Sequence, residues 1–332
     1  MRRHCTLIAC VLLAAVRAAY AYPGDEVYAR PGVLVDIGGR KLNLYCTGWG
    51  APTIVLESGL GGRASAWAQV QPLIAAHHRR VCSYDRAGYG FSDPDAKPRT
   101  ASRIADDLYV ALRKAHLHGP YVLVAATYGA FPVRLLAGRH QKAIAGLVLL
   151  NPSPEDEELT PASSTVERID SAGLNSAKTC LESAKRGALA ALTPERERCV
   201  GAANPALSSE LNARRLDLLS KPATWGAIVS EWSNIVHSAA QVKAARGSRY
   251  EFALTVISAS EEPPFNGSDE DVRAMHQTWL NWDKWQHDIA ALSANSRLLH
   301  TKGSGRVVES SDPAMVAAAI EETIARSKPV TR

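Results

Sequence analysis

The stretch Tyr121-Val-Leu-Val-Ala-Ala-Thr127-Tyr-Gly129-Ala130 constrains the fold more than any other part of this 332-residue chain. Tyr121 to Ala126 carries no charge and no breaker and reads as a buried strand, while Phe131 to Arg139 follows as an apolar helix pattern. A strand that turns sharply into a helix presents its turn residue at the carboxyl edge of a sheet. It sits there beside a helix amino terminus whose N–H groups favour anions. A nucleophile or an anion-binding group belongs in that place, and the residue occupying it is Thr127.

The rest of the chain repeats the alternation. Val33 to Ile37, the Gly38-Gly39 turn and Lys41 to Cys46 predict a hairpin, because a glycine pair supplies the positive φ angles of a two-residue turn. Thr53 to Glu57 and Arg80 to Tyr84 read as short strands, leading into Ser58-Gly59-Leu60-Gly61-Gly62 and into the run Asp85 to Asp93. A helix is expected from Trp67 to Ala76, and Ile104, Leu108, Ala111 and Leu112 mark another. Ile144 to Leu150 is a further strand. Short apolar strands alternating with helices predict an α/β fold, a mostly parallel sheet with helices on both faces. At Asn151-Pro-Ser-Pro154 the strands stop and polar helical segments take over until about Ser248, which reads as a helical cap inserted after the strand that follows the Thr127 turn. Phe252 to Ser258 returns to strand. Trp279, Trp282, Trp285, Ile289 and Leu292 share one face of a helix, Arg297 to His300 is the last strand, and a helix around Met315 to Ile324 closes the chain.

Arg2 and Arg3, an apolar run from Leu7 to Val16 and the Ala19-Tyr20-Ala21 site give residues 1–21 the pattern of a removable export signal, too short to span a bilayer as an anchor. The domains expected are therefore 1–21 signal, 22–150 first part of the core, 151–249 cap and 250–332 second part of the core. The formal charge of +5 includes three signal arginines, Arg2, Arg3 and Arg17, and a nearly neutral remainder argues against a nucleic-acid partner. Export allows disulfides. Cys180 and Cys199, in one helical segment, are expected to pair, whereas Cys46 and Cys82, near the ends of two strands, read either as a pair or as buried thiols, with thiols preferred. No cysteine or histidine cluster suggests a metal, and no cofactor is implied.

Pro52 to Gly62, the Asp85 to Asp93 run, the Thr127 turn, the strand ending at Asn151 and the Asn295 to Asp312 close occur in an order that resembles the α/β-hydrolase superfamily, over roughly residues 30 to 325. The family's nucleophile turn is written G-x-S-x-G, and here it reads Ala125-Ala126-Thr127-Tyr128-Gly129. The resemblance implies Thr127 at the nucleophile position, Arg306 at the histidine position, Asn151 at the acid position, and Glu261 or Glu262 at the alternative acid position. It implies an oxyanion hole from the backbone N–H groups of Leu60 and Tyr128, with Gly59 beside them.

These substitutions alter the chemistry. Arginine stays protonated and only donates, so Arg306 cannot take a proton from Thr127. His116, His118, His140 and His300 have no context that would let them replace it. A β-branched residue is a poor occupant of positive φ, which argues for a turn relaxed from the family's strained conformation. The sequence therefore reads as an exported, catalytically degenerate homologue that binds a small, apolar, anionic ligand and has no stable membrane insertion. The alternatives are an esterase or amidase using Thr127, and a non-hydrolytic enzyme on this fold.

Overall fold

The computed structural model describes residues 24–159, 164–191, 193–247, 249–262, 267–302 and 307–327. The expected signal at 1–21 and Arg306 lie outside the described residues. Among these residues eight strands form one sheet: β1 (Val33–Asp36), β2 (Lys41–Thr47), β3 (Thr53–Glu57), β4 (Val81–Asp85), β5 (Tyr121–Ala126), β6 (Ile144–Leu150), β7 (Ala253–Ser258) and β8 (Ser296–His300). Their order is β1-β2-β4-β3-β5-β6-β7-β8; β1 and β2 are antiparallel and β2 is antiparallel to β4, while all pairings from β4 through β8 are parallel. The helices are α1 (Gln71–Ala76), α2 (Ala101–Lys114), α3 (Ala130–Arg139), α4 (Glu155–Leu159), α5 (Ser164–Lys185), α6 (Pro194–Val200), α7 (Ser209–Leu219), α8 (Pro222–Ser233), α9 (Ile235–Ala244), α10 (Asp269–Ala290), α11 (Val308–Ser311) and α12 (Pro313–Arg326).

Strands β3 to β7 are buried on both faces, and alternate residues divide between two cores. Val122 and Val124 pack with Trp67, Ile74, Val316 and Ile320 on one side. Leu123 and Ala125 pack with Ile104, Leu108, Phe131 and Val242 on the other. This period of two, repeated in β3 and β6, is what a parallel sheet sandwiched between helices requires. The Thr100 hydroxyl accepts from Arg103 N–H to start α2, and Arg113 and Lys114 complement its carboxyl end.

Helices α4 to α9 form the expected cap between β6 and β7. Three sequence expectations are corrected. Residues 67–76 do not form one helix: a 3-10 turn, Ala64–Trp67, precedes α1, which starts at Gln71 with Pro72 in its first turn. Helix α10 starts at Asp269, ten residues before Trp279, on a capping box in which the Ser268 hydroxyl and the Asp271 carboxylate each accept a backbone N–H. Cys180 and Cys199 are bridged, as expected, and staple α5 to α6. Cys46 and Cys82 are bridged too, contrary to the thiol reading. They stand directly opposite one another in the antiparallel β2–β4 register, which brings the two side chains together on one face of the pair.

Candidate functional site

Strand β5 ends at Ala126, and Thr127 takes φ 45 before a 3-10 turn, Thr127–Gly129, runs into α3. The turn has not relaxed. Its packing explains why a β-branched residue stays in this conformation: the Thr127 carbonyl accepts Ser153 N–H at 3.2 Å, and Gly59 and Gly129 close on it from either side. A Cβ on Gly59 would lie 2.3 Å from Thr127 Oγ1; one on Gly129 would lie 2.6 Å from the Ser58 carbonyl oxygen and 2.9 Å from Glu57 Cγ. Gly129 is the one glycine of the five-residue motif that the chain keeps, and the approach of the loop after β3 is the physical reason. Gly129→Ala is accordingly expected to lose about 1–3 kcal/mol of stability through overpacking, measured by urea denaturation.

Asn151 follows β6 at φ 45 and is fully buried. Its N–H donates to the Ile257 carbonyl at 2.6 Å, and its Oδ1 accepts both Ala259 N–H and Trp282 Nε1–H at 3.1 Å. Asn151 thus ties the ends of β6 and β7 to α10, and among the described residues its Nδ2 has no hydrogen-bond partner. Glu261 and Glu262 are exposed, and Glu262 meets His276 Nδ1 at 2.8 Å. Leu60 is partly buried and packs against Tyr89 and the cap, while Tyr128 is buried with its ring edge-on to Phe131. Gly59, Leu60, Thr127 and Tyr128 are therefore brought together; Asn151 joins them at the same sheet edge with its side-chain oxygen committed elsewhere.

Among the described residues no side chain lies within hydrogen-bond reach of the Thr127 hydroxyl. The described histidines are exposed or half-buried. His140 stacks on Tyr109 at 3.8 Å, and His300 on β8 faces Asp283 at 4.0 Å.

Sequence reasoning passed over a buried ionic network directly behind this site. Arg86, at the end of β4, donates through Nη1 to Glu57 Oε1 and to the Ser58 carbonyl, both at 2.6 Å. Through Nη2 it reaches the Gly59 carbonyl at 2.8 Å and Glu231 Oε2 at 2.9 Å, and through Nε it reaches Glu231 Oε1 at 2.7 Å. Tyr84 donates to Glu57, and Tyr89 donates to Glu231 at 2.9 Å. Glu57, Arg86 and Glu231 are all essentially inaccessible to water. Burial opposes the charge on Arg86, but Glu231 and Glu57 outweigh it and hold the guanidinium well above its ordinary pKa; burial pushes Glu57 up, against the pull of Arg86 and Tyr84. The only hint in the sequence was a glutamate ending an otherwise apolar strand, with an arginine beginning a glycine-rich loop. A second buried pair, Arg134 with Glu155 at 2.6 Å through both guanidinium ends, fastens α3 to α4. A cleft of about 410 Å³ opens between the loop after β4 and α8, bounded by Ala87, Pro98, Ala227, Ser230 and Asn234.

A mostly parallel sheet of this order, a strained turn after β5 and a cap inserted after β6 define an α/β-hydrolase. The family model for the alpha/beta hydrolase fold matches residues 52–236, and the chain belongs to that family. It is 27% identical over 146 residues to the uncharacterized protein YbdG of Bacillus subtilis (strain 168), a match covering 43% of this chain and 45% of that protein. The chain thus spans less than half the length of that curated relative. Among solved structures, the epoxide hydrolase CorEH shares a TM-score of 0.65 at 15% identity, covering 88% of this chain and 97% of that one. The enol-lactonase from Burkholderia xenovorans LB400 gives a TM-score of 0.55 at 17% identity, covering 88% of this chain and all of that one. At such identities these likenesses show the fold alone. Among the described residues no helix is long and apolar enough to cross a membrane, and the two disulfides are compatible with export.

Proposed function

We propose that this protein is an exported, catalytically degenerate α/β-hydrolase homologue that binds a small, largely apolar carboxylate at the Thr127 turn. The observation that carries the reading is the hydroxyl itself: Thr127 holds the nucleophile's place and strained backbone, and no described base reaches it. A hydroxyl without a base is a weak nucleophile. In this reading Arg306 stands where the imidazole would be, and its guanidinium is suited to grip a carboxylate in two-point contact. The Thr127 hydroxyl and the backbone N–H groups of Leu60 and Tyr128 supply the remaining donors.

The purified protein is expected to remain unlabelled by a fluorophosphonate probe. Labelling that vanishes in Thr127→Ala would establish a live nucleophile and overturn the reading. Thr127→Ser alone is expected to give no ester turnover, whereas Thr127→Ser, Asn151→Asp and Arg306→His together are expected to recover measurable hydrolysis of a p-nitrophenyl ester. Full activity from the single serine variant would mean that a base exists elsewhere.

A further inference from the structure

Arg63 ends the loop after β3, and Arg215 projects from the cap helix α7; both line one small pocket at the junction of core and cap. Among the described residues the Arg63 side chain makes no hydrogen bond and no ion pair, and its Nε is buried without a partner. Arg215 donates only to the Ala202 carbonyl, and its Nε is likewise buried and unpartnered. The one carboxylate on the pocket wall, Asp85, is already engaged: it accepts Ala64 N–H at 2.9 Å, Asn43 Nδ2–H at 2.7 Å and Phe91 N–H at 3.2 Å. Burial lowers the pKa of both guanidiniums; at Arg63 Asp85 opposes that effect and Arg215 adds to it. Two half-buried guanidiniums thus face one space whose wall carries a single carboxylate, Asp85, already held by three other donors, which leaves the pocket with an excess of positive charge.

We propose that this pocket takes a phosphate-sized oxyanion between Arg63 and Arg215, and that the bound anion clamps the cap to the core. The chemistry suits the occupant. Guanidinium forks match the oxygens of phosphate, and walls of Tyr28, Tyr45, Phe91 and Leu211 lower the local dielectric and strengthen each contact. The inner space, about 10 Å³, admits one oxygen-sized group, so the anion inserts a single oxygen and keeps the rest at the half-buried rim formed by Arg63, Ser65 and Arg215. The clamp follows from where the two arginines are rooted. The Arg63 carbonyl accepts the Ser58 hydroxyl at 2.8 Å, and Ser58 adjoins Gly59, which packs on Thr127. Arg215 lies in the same helix that packs on residues 25–29. The proposal does not depend on the reading of Thr127, which concerns a different set of donors.

The test is a titration of the intact protein with inorganic phosphate at ionic strength held constant with sodium chloride, followed by thermal unfolding and by calorimetry, with acetate as a parallel arm. Phosphate is expected to raise Tm saturably, and Arg63→Gln and Arg215→Gln are each expected to weaken its binding at least tenfold. Arg215→Lys should retain an intermediate affinity. Arg215 is half-exposed, so its variants carry the test even where Arg63→Gln folds poorly. Hydrogen exchange should slow in α7 and in residues 58–66 when phosphate is added. A Tm response matched by chloride, or one untouched in both glutamine variants, would overturn the site. Equal binding of acetate would replace phosphate by a carboxylate as the occupant. Binding without slowed exchange in α7 would overturn the clamp.

Discussion

Arg86→Ala is expected to lower the free energy of unfolding by about 3–5 kcal/mol. The substitution leaves Glu57 and Glu231 buried close together with no counter-charge, and it strips the Ser58 and Gly59 carbonyls of the donors that now satisfy them. Glu231→Gln should cost less, because the remaining Arg86–Glu57 pair is neutral and the new amide keeps one acceptor for the guanidinium. Urea denaturation with the disulfides intact, followed by tryptophan fluorescence, measures both. The replacement should also expose the cap to limited proteolysis, since Glu231 lies on α8 and Glu57 under the loop after β3. A loss below about 1 kcal/mol in Arg86→Ala would mean that the network contributes little beyond its own desolvation.

The second large effect depends on pH. Glu309 on α11 is 7% exposed, its Oε2 has no hydrogen-bond partner among the described residues, and burial raises its pKa from 4.5 to about 7. Between these two values the folded protein holds a proton that the unfolded chain releases, so stability falls as pH rises through this window and levels off above it. At about 1.36 kcal/mol per pKa unit, the loss approaches about 3 kcal/mol. Glu309→Gln imitates the protonated form and should escape the penalty. Urea midpoints of the two proteins are therefore expected to lie close at pH 5 and to separate in favour of Glu309→Gln at pH 8; a difference that does not change with pH would refute the assignment.

What the sequence disclosed follows the range of the forces involved. Tyr121–Ala126 and Ile144–Leu150 match their predicted bounds, because a strand buried on both faces needs an unbroken apolar run, which is a local property. The Gly38-Gly39 hairpin was legible for the same reason: the turn demands positive φ at both residues, and both have it. The start of α10 was hidden because its first turns are polar and the helix is set by a cap at Ser268, ahead of the tryptophan face. The Cys46–Cys82 bridge depends on a register between strands 36 residues apart, and the Arg86–Glu231 pair on a contact across 145 positions; neither leaves a periodic trace. At Thr127 local preference pointed the wrong way, since a β-branched residue argues for a relaxed turn and tertiary packing overrode it. Gly59, Leu60, Thr127, Tyr128 and Asn151 lie at one sheet edge, whereas Glu261 and Glu262 are exposed, and the hydrogen bonds of Asn151 to Ala259 and Trp282 were not foreseeable from residue type.

The buried ion pairs of Arg86 and Arg134 also constrain how such a molecule could open. Helix α8 is riveted to the loop after β3 through Arg86, and α4 to α3 through Arg134, so neither can swing away without stranding a charge in the interior. The links at the other end are of a different kind: Arg168 to Asp271 and Arg30 to Glu210 are ion pairs in which Arg168, Arg30 and Glu210 are exposed to solvent, which screens them. Any opening of the cap would therefore have to leave α4 and α8 seated on the core.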